Sequence, residues 1–171
     1  MGGFFREGEI LRATFSDAEK SVLDQLAREL IDLLGEGDEH DDPLAAIVGI
    51  STNDRIPDDP ALARLLPDAY EQPEHSGEFR RYTEHHLREG KRARLEELRH
   101  GLNESLELDE AGAMKCAMAL NDIRLFLGTR LEVTADFEEQ VAAMNEDDPR
   151  KAGYAVFSWL GWLQQNLLDL L

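Results

Sequence analysis

The sequence predicts a mostly α fold: a helical bundle of about five to seven helices with a small N-terminal β-hairpin packed on it, in a single domain over residues 1–171. Three observations predict it. Apolar residues recur at helical spacing through most of the chain. Helix start and stop signals punctuate those stretches. A length of 171 residues, 42% of them hydrophobic and 32% charged, suits one core that needs no disulfide or metal staple.

Residues 4–15 read as the hairpin, with Glu7-Gly8 as its turn. Leu11, Ala13 and Phe15 alternate with Arg12 and Thr14, which gives one apolar face. A lone hairpin is marginal in water, so it must lie on the helices of 16–171. Ser16 and Glu19 have the spacing of a capping box. Val22, Leu23, Leu26, Leu30, Leu33 and Leu34 carry that helix to a stop at Gly35. Glu36 to Asp42 is an acidic loop without the ordered ligand spacing of a calcium loop.

Asp-Asp-Pro occurs at 41–43, 58–60 and 147–149. In each, Asp caps free N–H groups, Pro fits the first helical position, and negative charge suits the positive end of the helix dipole. These marks predict short helices near 43–49 and 60–66, and a final helix from 149; Pro67 closes the second. A long stretch from about Pro73 to Leu102 carries two apolar stripes. Phe79, Tyr82, His86 and Leu87 form the first; Leu95, Leu98 and Leu102 form the second, rotated about a third of a turn. Gly90 lies between them, and the favoured reading is one helix that changes partner there. Asp109 caps a helix near 110–131, and Thr134 caps another near 135–145. Helices should cover about two thirds of the chain.

The charge is lopsided: 36 Asp plus Glu against 18 Lys plus Arg, a net −18. A nucleic-acid binder neutralises phosphates with clustered cations, so no nucleic-acid partner is expected, nor an anionic membrane surface. The most apolar segment, Tyr154 to Leu163, falls short of the roughly 18 residues that span a bilayer. The N-terminus lacks the apolar core of a signal peptide. A cytoplasmic protein is expected. The lone Cys116 sits among apolar residues and reads as a buried structural thiol.

The most informative segment for chemistry is 119–131. On a helical wheel Cys116, Leu120, Ile123, Leu127 and Leu131 make the apolar face, and Arg124, Asn121 and Gly128 fall within its extended arc. Lys115, Asp122 and Thr129 point away. A buried guanidinium needs a partner, so Arg124 predicts a carboxylate from another helix: Glu78 or Glu84 first, Asp68 third. Such a pair serves either helix register or, with Asn121, recognition of an anion or carboxylate. Gly128 suggests close helix approach. Glu71, His75 and Glu78 share a face, but their order is the reverse of a ferritin-like repeat and occurs once, so no metal site is expected. Phosphate-binding, dinucleotide and nucleophile motifs do not occur, so no catalytic residue and no cofactor is assigned. In the final helix Val156, Phe157, Leu160, Leu163, Leu167, Leu168, Leu170 and Leu171 form a wide stripe edged by Trp159. Trp162 lies off it, as an interface anchor, most simply in a symmetric homodimer, or as a side chain covered by a second element.

Leu120-Asn-Asp-Ile-Arg-Leu-Phe-Leu-Gly-Thr-Arg-Leu131 resembles an actinobacterial family known as domain of unknown function number twenty-seventeen. Leu66-Pro-Asp-Ala-Tyr70, Glu78-Phe-Arg-Arg-Tyr-Thr-Glu84 with Leu87-Arg88, and Trp159-Leu-Gly-Trp-Leu-Gln164 match in the family's order over nearly the whole chain. The resemblance implies no activity and no catalytic residue. It does imply a gene neighbourhood that includes the Clp protease adaptor ClpS, a metalloprotease and a sulfur-carrier protein of cysteine synthesis. Taken together, the sequence points to a non-enzymatic interaction or regulatory protein linked to Clp-dependent proteolysis or sulfur amino-acid metabolism, with Clp components as candidate partners. The alternative is a small-anion binder or enzyme built around Arg124.

Overall fold

The structure is a computed structural model, and residues 2–35, 53–104, 106–145 and 147–171 are described. The acidic loop 36–42 and the short helix expected near 43–49 lie outside them. Two strands open the chain, β1 (Gly3–Glu7) and β2 (Ile10–Thr14). They pair antiparallel, with Glu7 opposite Ile10, so the turn is Gly8-Glu9, one residue later than expected. Gly8 adopts φ +65° while Glu9 keeps negative φ, the pattern of a turn with Gly at its first position. A third strand, β3 (Glu107–Leu108), pairs with β2 and makes a three-stranded sheet. Its two residues are too few to show any periodicity in the sequence.

Helix α1 (Asp17–Gly35) starts at the expected capping box. Ser16 N–H donates to Glu19 Oε2 at 2.8 Å, and Glu19 N–H returns to Ser16 Oγ at 3.3 Å. Glu19 also accepts the Gly2 N–H at 2.8 Å and so ties the hairpin's start to the helix. Helix α2 (Pro60–Leu65) is capped by Asp59, which accepts from the N–H groups of Ala61 and Leu62. Helix α3 (Pro73–Asn103) runs unbroken through Gly90, as the single-helix reading expects. Asp109 caps α4 (Glu110–Arg130) through the Gly112 N–H at 2.7 Å. A short α5 (Phe137–Ala143) begins later than expected; Thr134 does not cap it, and its hydroxyl instead accepts from Gln140 Nε2. Asp148 accepts the Arg150 N–H at the start of α6 (Arg150–Leu168). The fold is mostly α with a small antiparallel sheet, six helices being present among the described residues.

The core is built around α4, which touches α6, α2, α3 and α1. Leu23, Leu30 and Leu34 of α1, Leu95, Leu98 and Leu102 of α3, and Leu160, Leu163 and Leu167 of α6 are all buried. Each such leucine contributes about 1.5–3 kcal/mol of transfer free energy. The sheet packs on α6: Phe4 is buried, its N–H donates to Asn166 Oδ1 at 2.7 Å, and Phe15 meets Phe4 and Trp159 edge to face. Of the stripe expected on the last helix, Leu168 and Leu171 are exposed, while Leu170 between them packs against the core.

The first stripe expected on α3 is a correction. Phe79, Tyr82, His86 and Leu87 face water, while Ser76, Arg80, Glu84 and Arg88 face inward. The cause lies in the carbonyl groups that α3 packs against, those of Leu34 and Leu66 at the ends of α1 and α2, which need donors.

Candidate functional site

Two side-chain constellations stand out, and both are made by arginine. The first is a ladder on α3 at i, i+4 and i+8. Glu84 accepts from Arg80 Nη1, from Arg88 Nε at 2.9 Å and from Arg88 Nη2 at 2.8 Å. Arg80 also donates to Asp68 Oδ1 at 2.9 Å and to the carbonyl of Leu66 at 3.0 Å. Arg88 donates to the carbonyl of Leu34 at 2.9 Å. Leu66 is the last residue of the α2 turn and Leu34 lies in the last turn of α1. Helix ends leave their final carbonyls without intrahelical partners and carry partial negative charge. Helix α1 has no basic residue in its own last turn. The guanidinium of Arg88 supplies that charge from α3. Burial alone would lower the Arg80 pKa, but the hydrogen bonds and charges of Glu84 and Asp68 outweigh it and leave it raised. Asp68 is held below the ordinary aspartate range, first by Arg80 and then by Ser76.

The second constellation surrounds Arg124. Its guanidinium carbon lies 5.2 Å from the centre of the Phe157 ring, a cation–π contact. No hydrogen bond or ion pair holds it among the described residues, and its buried Nε has no acceptor. Arg124 lines a cleft of about 530 Å³ shared with Arg64, Gly128, Glu132, Thr134 and Phe157. Gly128 admits the Phe157 ring: a Cβ there would lie 2.8 Å from ring carbon Cε2. The close helix approach expected at Gly128 is present, between α4 and α6.

The residues that the sequence gathered around Arg124 are dispersed. Glu84 and Asp68 serve the α3 ladder. Glu78 is exposed and borders a shallow surface depression with His75, Tyr70 and Tyr82. Asn121 is half-buried and does not line the Arg124 cleft. Asp122, expected to point away, is buried and takes Lys91 Nζ at 2.7 Å and Arg94 Nη2 at 3.7 Å. The one-faced wheel fails for α4 because four helices surround it. Arg64, Phe157, Thr134 and Glu132 come from other segments, and only Gly128, one turn after Arg124, hinted at the cleft in the sequence.

Trp162 is 47% exposed. The hairpin covers one edge of it, since a Cβ on Gly3 would sit 2.8 Å from its ring. Cys116 is buried, and burial, with a smaller contribution from Glu97, pushes its thiol up to about 12. Among the described residues no three His, Cys, Asp or Glu side chains are grouped as metal ligands. No described helix is long and apolar enough to cross a membrane.

The chain belongs to the family described as Domain of unknown function (DUF2017), whose model matches residues 1–171. It is similar to an AosR of Mycobacterium leprae, 32% identical over 181 residues that cover 94% of this chain and 82% of the relative. It is 30% identical over 186 residues to the oxidative stress regulator AosR of Mycobacterium bovis and of Mycobacterium tuberculosis, covering 97% of this chain and 84% of each relative. No solved structure matches it.

Proposed function

We propose that this chain is a regulatory protein of the oxidative stress response that acts by contact with another protein. The observation that carries the reading is the exposed face of α3. Tyr82 is 54% exposed, Phe79 44% and Leu87 42%, with Tyr70 at 50% beside them. Tyr70 and Phe79 pack edge to face at 5.6 Å, so these two rings brace each other. Aromatic side chains dominate the energetics of protein contacts, and a face held rigid before binding loses little entropy on docking. The Arg80–Glu84–Arg88 ladder supplies that rigidity from behind. The name carried by the mycobacterial relatives supports a regulatory role.

A net charge of −18 argues for a protein partner over DNA. The buried Cys116 thiol is protonated at neutral pH and shielded, so on this reading the oxidant signal reaches the chain through its partner. The gene neighbourhood that the family resemblance implies makes Clp components and the sulfur-carrier system the partners to test first. Trp162 is the second candidate contact, most simply in a homodimer, and light scattering of wild type against Trp162→Ala decides that point.

The test is a gene deletion in the native host, challenged with peroxide and complemented in trans. The deletion should change survival and the transcripts induced by peroxide. The Phe79→Ser/Tyr82→Ser double variant should behave as the deletion, and Arg92→Ser, on the same helix, as wild type. A deletion strain that matches its parent under peroxide defeats the regulatory role. Full complementation by the aromatic variant defeats the contact surface.

A further inference from the structure

We propose that the cleft between α2, the C-terminal end of α4 and α6 binds a small organic anion, a carboxylate or a phosphate, through Arg124 and Arg64. The proposal stands independently of the regulatory reading.

Its first support is a comparison among arginines. Arg12, Arg80, Arg88, Arg94 and Arg99 are the other described arginines withdrawn from full exposure, and each has a carboxylate partner. Arg124 has none. With 36 acidic side chains against 18 basic ones, a shortage of carboxylates is not the reason. A half-buried guanidinium has lost part of its hydration, and that cost is offset only when an anion or a set of acceptors takes its donors.

The second support is that Arg124 is held in place. Phe157 lies against its guanidinium. A methyl at Gly161 would come within 3.4 Å of Nε, so α6 closes on the side chain from its backbone. Phe157 in turn occupies the space that Gly128 leaves open. A planar donor fixed by packing suits bidentate recognition of a carboxylate or phosphate, since little freedom remains to be lost.

The third support is the rest of the wall. Arg64 lines the same cleft and has no partner among the described residues. The Thr134 hydroxyl accepts from Gln140 Nε2, which leaves its own proton to donate. A volume of about 530 Å³ is that of a small-molecule site.

Glu132 adds a specificity element. It follows α4 at φ +54°, with Val133 N–H bonded to the Gly128 carbonyl at 2.9 Å. This closes the helix in the manner that normally uses glycine, because a side chain in the left-handed region crowds the backbone. The Glu132 carboxylate lines the cleft without a cation of its own among the described residues. A ligand that carries an ammonium group beside its acidic head would satisfy both ends of the site.

The test is an NMR titration of the isotope-labelled full chain with three probes: inorganic phosphate, benzoate and phenylalanine. At least one should give saturable shifts in the backbone amides of 128–134. Arg124→Gln should weaken that probe by about tenfold or more, the loss of a charge-assisted hydrogen-bond pair. Arg64→Gln should weaken it by less, and Arg92→Gln should leave it unchanged. Saturation by phosphate alone assigns a phosphate ester; saturation by benzoate or phenylalanine assigns a carboxylate. Phenylalanine binding tighter than benzoate, with the difference lost in Glu132→Gln, assigns the ammonium role. Because Arg64 is exposed, its variant keeps the fold even where Arg124→Gln does not. Linear, unsaturated shifts with all three probes overturn the proposal, as does a titration that Arg64→Gln and a folded Arg124→Gln both leave unchanged.

Discussion

Replacing Glu84 by alanine should be among the most damaging single changes in the protein. Glu84 is 3% exposed and carries the hydrogen bonds of two buried guanidinia. Removing one member of a buried ionic network leaves uncompensated charge and costs roughly 3–5 kcal/mol. Arg80 keeps Asp68 and the Leu66 carbonyl, and Arg88 keeps the Leu34 carbonyl, so the lower end applies. For a chain of this length about 3 kcal/mol corresponds to a melting temperature lowered by roughly 6–12 °C. Urea denaturation followed by circular dichroism measures it directly. A Glu84→Ala unfolding free energy within about 1 kcal/mol of wild type would refute the ladder as the element that pins α3 to α1 and α2.

Further expectations follow from individual contacts. Asp59→Ala removes the α2 cap, and unfolding experiments should show a loss of about 1 kcal/mol; no loss would mean that Pro60 and packing suffice. Glu132→Gly relieves the left-handed residue and should stabilise by roughly 0.5–1 kcal/mol, while weakening any ligand that uses the carboxylate; destabilisation would contradict the strain. Cys116 should react with a thiol reagent only as fast as the protein unfolds, and full labelling of native protein within minutes would contradict its burial. Asp24 and Asp68 are held below the ordinary aspartate value of 3.8, first by hydrogen bonds from Arg99 and Arg80 respectively. Asp59 is also lowered: burial would raise it, but the N–H groups of Leu62 and Ala61 and the Arg130 side chain outweigh that. Their stabilisation is full above the unfolded value and is lost as pH falls through the lower folded values. The melting temperature should therefore drop below about pH 4; a temperature unchanged from neutral pH to pH 3 would contradict those contacts.

Local signals carried the fold well. The capping box at Ser16 and Glu19, the Asp59 and Asp109 caps and the leucine spacing of α1 are instructions that a few neighbouring residues complete among themselves. Hairpin register needed only one correction, because Gly8 can serve at either of two turn positions and pairing decides between them. The site was less legible. Its cleft is assembled from residues 64, 124, 132, 134 and 157, and no local pattern announces that these meet. Asp122 went astray for a related reason: on a helix packed from several sides, a carboxylate can be buried provided Lys91 reaches it.

The inversion on α3 has one physical cause, the polarity of what the helix packs against. The rule that apolar side chains point inward assumes that what lies inside is apolar. Here the first half of α3 meets the carbonyl ends of α1 and α2, where a guanidinium gains more than a phenyl ring would. Arg80, Glu84 and Arg88 take the inner face, and the helical period then forces Phe79, Tyr82 and Leu87 outward. The aromatic surface and the buried ladder are thus one feature seen from two sides. Arginine also divides into two uses within this chain. On α3 it is matched to carboxylates and carbonyls and fixes the architecture. At Arg124 it is fixed by packing, against Phe157 and Gly161, and its charge is left unmatched. A guanidinium whose position is determined but whose charge is not compensated is the basis of the proposed anion site, and this separates Arg124 in kind from the buried arginines of the ladder.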